Sequence, residues 1–97
     1  MFVTIRRYET NPSSVPELLR RADKDAVPLL RTIKGFVSYD ILNTGKGVIL
    51  SVTVFQTETA AIESNLIAGR LTKDWSDLLP NPPQVTSGRV VLHEENK

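Results

Sequence analysis

The chain has 97 residues, of which 40% are hydrophobic and 24% charged, and its formal net charge is +1. This composition is typical of an ordinary globular domain, and the near balance of charge argues against a protein that grips nucleic acid or an anionic membrane. There is no cysteine and one histidine, His93, which excludes disulfides, thiolate chemistry and metal sites built from several histidines.

The length predicts one domain, residues 1–97, with a single modest core. The first seven residues carry no basic segment followed by an apolar stretch, so they do not resemble a signal peptide. No apolar run approaches the roughly 20 residues that a membrane-spanning helix needs. We therefore predict a cytoplasmic protein that has no membrane partner.

The first predicted elements are a strand and a helix. Residues 2–8 alternate in character as a strand does. After a polar break, Ser14 and Glu17 form a capping box that predicts a helix start, with Pro16 tolerated in the first turn. Pro28 should kink this helix or end its regular part, because proline lacks a backbone donor. The apolar side of the helix comprises Val15, Leu18, Leu19, Ala22, Ala26, Leu29 and Leu30.

A β-hairpin over residues 35–55 is the clearest pattern in the chain. Two runs rich in β-branched and aromatic residues flank Asn-Thr-Gly-Lys-Gly at residues 43–47, a short loop that contains glycine. Each predicted strand has a more apolar face and a mixed face. The hairpin therefore supplies the second and third strands.

A second helix and a last strand complete the chain. Thr57 or Thr59 caps the helix, and the prolines from Pro80 onward end it. Residues 85–93 form the last strand, and 94–97 a polar tail. The predicted apolar side of the second helix comprises Ile62, Leu66, Trp75, Leu78 and Leu79.

The order βαββαβ predicts an α+β, ferredoxin-like fold: a four-stranded antiparallel sheet with two helices on one face. The expected helix-facing set is Val3, Ile5, Val48, Leu50, Val52, Val54, Val90 and Leu92. The other face then comprises Phe2, Thr4, Arg6, Tyr8, Phe36, Ser38, Asp40, Ile49, Ser51, Thr53, Phe55, Arg89 and Val91. That face is too apolar for water and too polar for a dry core, so it suits a partner sheet across a partly wet cavity. We therefore expect a homodimer.

Four short motifs resemble the antibiotic biosynthesis monooxygenase-like domains of the dimeric α/β-barrel superfamily. They are the strand at 2–8, the Gly-Phe-Val-Ser-Tyr strand start at 35–39, the strand-to-helix passage at 51–57 and the Gly-Arg-Val of residues 88–90. The resemblance implies a ferredoxin-like protomer whose sheets pair face to face. It also implies a small-molecule pocket between sheet and helices, whereas the alternation argument puts the cavity in the dimer seam. The sequence leaves both placements open.

Characterised members of this superfamily include oxygenases that convert aromatic polyketides to quinones without metal or flavin, and haem-degrading enzymes. The haem-degrading members need an iron-ligating histidine from the second helix, which this chain lacks. The oxygenases hold a substrate phenol with Asn, Trp, Tyr and Arg side chains, so that its anion can pass an electron to oxygen. By residue type, Asn65, Trp75 and Tyr39 are the candidate catalytic residues, and Arg6 and Arg89 the candidate substrate-binding residues.

Each candidate also has a simpler interpretation. Trp75 and Tyr39 can be packing residues, and Asn65 can face water. Arg6 and Arg89 can form ion pairs with Asp40 or with carboxylates of a second subunit.

The sequence thus favours a cofactor-independent monooxygenase that acts on a small aromatic or polyketide-like molecule, with no metal and no cofactor. The alternative is a non-catalytic dimeric module that binds a small hydrophobic ligand or has a structural or stress-related role. RNA recognition motifs share the βαββαβ order, but their third strand needs base-stacking aromatics where this chain has Val48 and Leu50.

Overall fold

The computed structural model describes residues 1–96, so Lys97, the end of the predicted domain and tail, lies outside it. The strands are β1 (Phe2–Glu9), β2 (Phe36–Gly45), β3 (Val48–Phe55) and β4 (Gln84–Arg89). The helices are α1 (Val15–Arg21), α2 (Val27–Arg31) and α3 (Glu58–Asp74). The antiparallel sheet has the strand order β2-β3-β1-β4. The predicted ferredoxin-like arrangement is confirmed, although β4 ends at Arg89 rather than at His93.

The helices cover the β1 and β3 residues that the sequence analysis assigned to the dimer seam, so that assignment is wrong for these strands. In β2 a register shift between Phe36 and Ser38 leaves Ser38 and Asp40 on the open face. The buried sheet residues are Thr4, Arg6, Ile49, Ser51, Thr53 and Phe55. Six of the eight predicted helix-facing residues lie instead on the open face, where none is fully buried: Val3, Ile5, Val48, Leu50, Val52 and Val54. The other two, Val90 and Leu92, lie beyond the end of β4. The physical reason is the bulk at the two ends of β3: Phe55 and Ile49 fill the space under the helices there, while Ser51 and Thr53 between them leave a small cavity.

The apolar core is divided into two clusters. One contains Phe55 with Leu30, Ile33 and residues of α3, and Phe36 packs edge-to-face on Phe55 with ring centroids 6.3 Å apart. The other contains Ile49 and the residues Val15, Leu18 and Leu79. The stretch of sheet between the two clusters carries polar side chains, and this division positions the candidate site.

The first helical region differs in detail from the prediction. A 3₁₀ turn, Pro12–Ser14, precedes α1, and the Asn11 carboxamide caps it by accepting from the Ser13 backbone N–H at 3.0 Å. Ser14 makes no capping bond, and Glu17 bonds Arg20 and Arg21 instead, so the predicted capping box is wrong.

The predicted irregularity near Pro28 is a π-helical turn, Ala22–Ala26, between α1 and α2. There the Val27 N–H donates to the Ala22 carbonyl, five residues back. Pro28 has no N–H to continue the α-helical pattern, which is consistent with the shift in hydrogen bonding.

The cap of α3 was predicted correctly, but its buried face was not. The Thr57 hydroxyl accepts from the Ala60 N–H at 3.2 Å. The buried residues are Ala60, Ala61 and Ser64, whereas the predicted Ile62 and Leu66 are 58% and 77% exposed. The small side chains of Ala60, Ala61 and Ser64 let α3 approach the sheet closely. The packing gained by this close approach outweighs the burial of Ile62 and Leu66. No helix within residues 1–96 is long and apolar enough to cross a membrane.

Candidate functional site

Two cross-strand rows of side chains form a polar strip under the helices. In the first row Tyr39 lies opposite Thr53, Thr53 opposite Thr4, and Thr4 opposite Ser87. The second row comprises Ile41, Ser51, Arg6 and Val85. Period-two alternation brings these residues to one face, and the helices above them remove most of them from water. Buried polar groups in such numbers indicate a site rather than a packing core.

An enclosed cavity of about 30 Å³ lies between this strip and the helices. Arg6, Tyr39, Thr53 and Trp75 line its polar and aromatic side. Small residues leave the space open on the helical side, namely Ala26, Ser64 and Ala68. Ala26 is the last residue of the π-helical turn, so the irregular helix contributes directly to the cavity wall.

A second enclosed space of about 20 Å³ adjoins the first. Tyr8, Tyr39, Ser51 and Trp75 line both spaces and therefore form the wall between them.

An open cleft of about 490 Å³ lies on the other side of the enclosed cavity. Arg6, Ala68 and Thr72 line both the cleft and the cavity, so they divide the two spaces. The cleft runs between α3 and the start of β4, and Asn65 and Gly69 lie along it. Its volume is in the range of small-molecule sites, whereas that of the enclosed cavity is not.

Arg6 is a buried cation without an acidic partner. Its side chain is 5% exposed and donates a hydrogen bond to the Asn65 Oδ1. Within residues 1–96 no carboxylate lies within ion-pair distance of it, and Asp40 is on the opposite face of the sheet. Burial lowers the pKa of Arg6, and the neighbouring Tyr8 and Tyr39 oppose that effect. The guanidinium nevertheless stays charged at physiological pH, because its ordinary pKa is above 12.

Thr53 adds a second unsatisfied group to the cavity. Its Oγ1 is fully buried and has no hydrogen-bond partner, whereas the Thr4 hydroxyl opposite accepts from Ser87 at 3.1 Å. A buried hydroxyl without a partner costs about 1–3 kcal/mol, so a group that enters the cavity and bonds to it would recover that energy.

Tyr39 is a neutral hydrogen-bond donor. Burial raises its pKa to about 12; the neighbouring Tyr8 raises it further and Arg6 lowers it. Burial also raises the pKa of Tyr8. Both hydroxyls therefore remain protonated near neutral pH and can donate to a ligand oxygen.

This shift predicts a loss of stability in alkali. The unfolded chain releases the tyrosine protons near pH 10 while folded Tyr39 retains its proton to about pH 12, so the free energy of unfolding should fall as pH rises through that window. Urea unfolding at pH 9, 10 and 11 measures the fall, and Tyr39→Phe should show a smaller one. An unchanged pH dependence in Tyr39→Phe would contradict the assignment.

The structure brings three of the five predicted site residues to the enclosed cavity, namely Arg6, Tyr39 and Trp75. Asn65 lies on α3, bonded to Arg6, and lines the cleft. Arg89 is exposed at the end of β4, with one guanidinium nitrogen 4.0 Å from a Glu58 carboxylate oxygen.

Sequence reasoning did not assign site roles to Tyr8 or Thr53. The available signal was the polar pair Ser51 and Thr53 between two large apolar residues of β3, which the alternation pattern assigned to a dimer seam or a cavity wall. The structure places an enclosed cavity under the helices, where the family resemblance put the pocket. Among residues 1–96 no group of three or more His, Cys, Asp or Glu side chains is arranged to hold a metal ion.

No protein-family model and no curated protein sequence matches this chain, but solved structures match its fold. NE2512, a protein of unknown function from Nitrosomonas europaea, has a TM-score of 0.78 at 20% identity, covering 99% of this chain and 94% of that one. The monooxygenase ActVA-Orf6 of Streptomyces coelicolor, in complex with nanaomycin D, has a TM-score of 0.75 at 18% identity, with 97% and 92% covered. A mutant of MhuD with two manganese protoporphyrin IX molecules bound per active site has a TM-score of 0.76 at 20% identity, with 99% and 100% covered.

The chain thus has the ferredoxin-like fold of the antibiotic biosynthesis monooxygenase-like proteins, as the motif resemblance implied. Structural matches at 18–20% sequence identity establish the fold of this chain and not its activity. The activity has to be argued from the residues of this chain.

Proposed function

We propose that the protein is a cofactor-independent monooxygenase that binds a small aromatic, phenol-bearing molecule between its sheet and its helices. One observation carries the proposal: the enclosed cavity, with a mostly apolar lining, holds the guanidinium of Arg6 beside Tyr39 and Trp75, and within residues 1–96 no carboxylate pairs with it. The fold that this chain shares with the monooxygenase ActVA-Orf6 supports the proposal of a monooxygenase reaction.

The chemistry needs a stabilised phenolate. A buried guanidinium lowers the pKa of a phenol bound against it, because an opposite charge favours the ionised form. No Asp, Glu or His is among the residues that line the cavity, so this charge effect is the means of ionising the phenol. The phenolate passes electrons to dioxygen, one oxygen atom enters the ring to give a quinone, and the other leaves as water. The substrate supplies all four electrons that dioxygen requires.

The binding of a ring requires side chains to move. A cavity that binds benzene has a volume of about 150 Å³, well above the 30 Å³ of the enclosed cavity. Trp75 divides this cavity from the adjoining one, and Arg6 divides it from the cleft. In this proposal the ring displaces Trp75, Tyr39 donates to the substrate oxygen and Arg6 holds its negative charge.

Oxygen uptake tests the proposal. With 1-naphthol and 1,4-dihydroxynaphthalene as probes, uptake should exceed uncatalysed oxidation, and Tyr39→Phe, Trp75→Leu and Asn65→Ala should each lower the rate by roughly tenfold or more. Unchanged rates of oxygen uptake in all three variants would contradict the proposal. Arg89→Gln tests the separate prediction that Arg89 binds substrate, because a role of that kind predicts a raised KM.

The alternative is a module that binds the same kind of ligand without turnover. The small size of the cavity and the lack of an acid–base residue in its lining favour it. A thermal-shift screen that finds stabilising phenols, combined with no oxygen uptake on any of them, would select this function.

We also propose that the protein is a homodimer whose open sheet faces pack together, and that it acts in the cytoplasm. The open face carries a group of apolar side chains along β3 and its neighbours, with the charged residues Arg7, Glu9 and Asp40 beside them; the apolar residues are Val3, Ile5, Leu42, Val48, Leu50, Val52 and Val54. A patch of this extent on a sheet is typical of an interface, and two such sheets can pack about 10 Å apart. Val91 and Leu92, beyond β4, are also exposed and add to the apolar surface that a second copy could cover.

A further inference from the structure

The cleft between α3 and β4 has a simple chemical character. Its walls are largely apolar, with Ala68, Pro82, Pro83 and Val85 around the open space, and no carboxylate is among the residues that line it. Its one charged group is Arg6, which also lines the enclosed cavity. Apolar walls around a single buried cation suit a molecule that is apolar over most of its surface and anionic at one point.

The present partner of Arg6 is a poor match for a buried guanidinium. A neutral amide oxygen from Asn65 accepts one of its hydrogen bonds, whereas a guanidinium carries five N–H donors and binds a carboxylate through two parallel bonds. Burying such a charge without an anion costs free energy. An anionic ligand that binds Arg6 would therefore gain more binding free energy than one that binds an exposed arginine.

Gly69 keeps the cleft open. It lies near the middle of α3, where glycine weakens a helix by about 1 kcal/mol relative to alanine. A Cβ atom built at Gly69 meets nothing within 4 Å, so packing against the protein does not require a glycine there. Its position along the cleft gives it a role, because any longer side chain would project into that space.

We propose that the cleft between α3 and β4 is the mouth of the ligand site and that it selects acids: apolar, ring-sized molecules with a carboxylate or a similar anionic group that binds the Arg6 N–H donors left free by Asn65. The proposal rests on the ligand binding of the proposed function, but not on oxygen chemistry. Gly69 and Asn65 are then specificity-determining residues.

A second opening is the competing route. A cleft of about 600 Å³ between the α1–α2 region and α3 reaches Trp75 and Leu71, which also line the enclosed cavity. Two of its cations, Arg20 and Arg21, already pair with Glu17 and Asp77. Neither Arg6 nor Thr53, the two buried groups without suitable partners, lines it. The observations therefore favour the α3–β4 cleft.

A matched pair of probes tests the selection of acids. 1-Naphthoate and 1-naphthamide have nearly the same shape and differ in charge, and isothermal titration calorimetry measures the binding of each. The acid should bind about tenfold or more tightly than the amide, as expected for a charge-assisted pair. Asn65→Asp places an isosteric carboxylate on Arg6, so it should abolish the preference for the acid: the affinities of acid and amide for this variant should agree within about twofold.

A second matched pair of variants tests the route. Gly69→Leu fills the α3–β4 cleft, and Arg70→Leu places the same side chain one residue further along, in the other cleft. Naphthoate binding should weaken about tenfold or more in Gly69→Leu and stay within about twofold in Arg70→Leu. Circular dichroism should show both variants folded, because leucine is a better helix former than glycine.

Several results would overturn the proposal: equal affinities for acid and amide, no binding of either probe at its solubility limit, or a loss of binding in Arg70→Leu rather than Gly69→Leu. Failure of the proposed oxygenase is separate. In that case naphthoate would bind with the expected selectivity while no phenol supports oxygen uptake.

Discussion

Replacing Val52 with aspartate is expected to convert the proposed dimer into monomers. Val52 lies in the middle of the open face, between Asp40 on β2 and Ile5 on β1. In a sheet-to-sheet interface the new carboxylate would be buried beside Asp40, while Arg7 on the same face already pairs with Glu9, so we expect a cost of several kcal/mol. We expect the dissociation constant to rise about 100-fold or more. Sedimentation velocity over a range of concentrations measures it.

Leu66→Asp is the matched control for this variant. It introduces the same side chain at an exposed apolar position of α3, on the far side of the protein from the open sheet face, so the association state should not change. A wild-type chain that sediments as a monomer at tens of micromolar would contradict the dimer itself. A dimer that persists in Val52→Asp would place the interface elsewhere.

The sequence was sufficient to predict the element order, because alternation and turn residues act locally. The hairpin at 35–55 and the Thr57 cap depend on neighbours within a few residues, and both were predicted correctly. Alternation groups Thr4 with Arg6 and Ser51 with Thr53, but it cannot say which side the helices cover. The number of apolar residues favoured the valine face as the one under the helices. In the structure the helices cover the other face, which carries the bulkier Phe55.

The same limit applies to the helices. Ile62 and Leu66 have the spacing of a buried stripe, yet Ala60, Ala61 and Ser64 lie against the sheet because closeness of approach matters more there. How near two elements come is a tertiary property that no local pattern contains. The π-helical turn was likewise visible only as an irregularity near Pro28.

The residue types of the candidate site came from the family resemblance, and their arrangement came only from the structure. Of the five candidates, the fold brings Arg6, Tyr39 and Trp75 to one cavity, whereas Asn65 and Arg89 lie outside it. The lack of a partner for Thr53 and the bond between Arg6 and Asn65 depend on residues up to 59 positions apart. Only the assembled structure shows that Arg6 has no acidic partner.

Replacing Arg6 with methionine is expected to make the protein more stable and to remove its preference for acids. Methionine is a flexible apolar side chain of comparable length that can fill the space among the groups that surround Arg6. Apolar replacement of buried charged groups is often neutral or stabilising by about 1–4 kcal/mol, and Arg6 lacks even the carboxylate that would offset its desolvation. We expect a gain of about 1–3 kcal/mol in the free energy of unfolding, measured by urea denaturation at pH 7.

Arg6→Lys distinguishes the effect of the buried positive charge from the effect of the guanidinium geometry. It keeps a buried cation but loses the planar geometry of the guanidinium, so it should show no gain in stability and only a partial preference for naphthoate over naphthamide. A fall in the stability of Arg6→Met by more than about 1 kcal/mol would mean that the guanidinium contributes to folding through its bond to Asn65. The expected pattern, higher stability with lost selectivity, would instead mean that the fold tolerates an unfavourable buried charge because the ligand supplies its counterion.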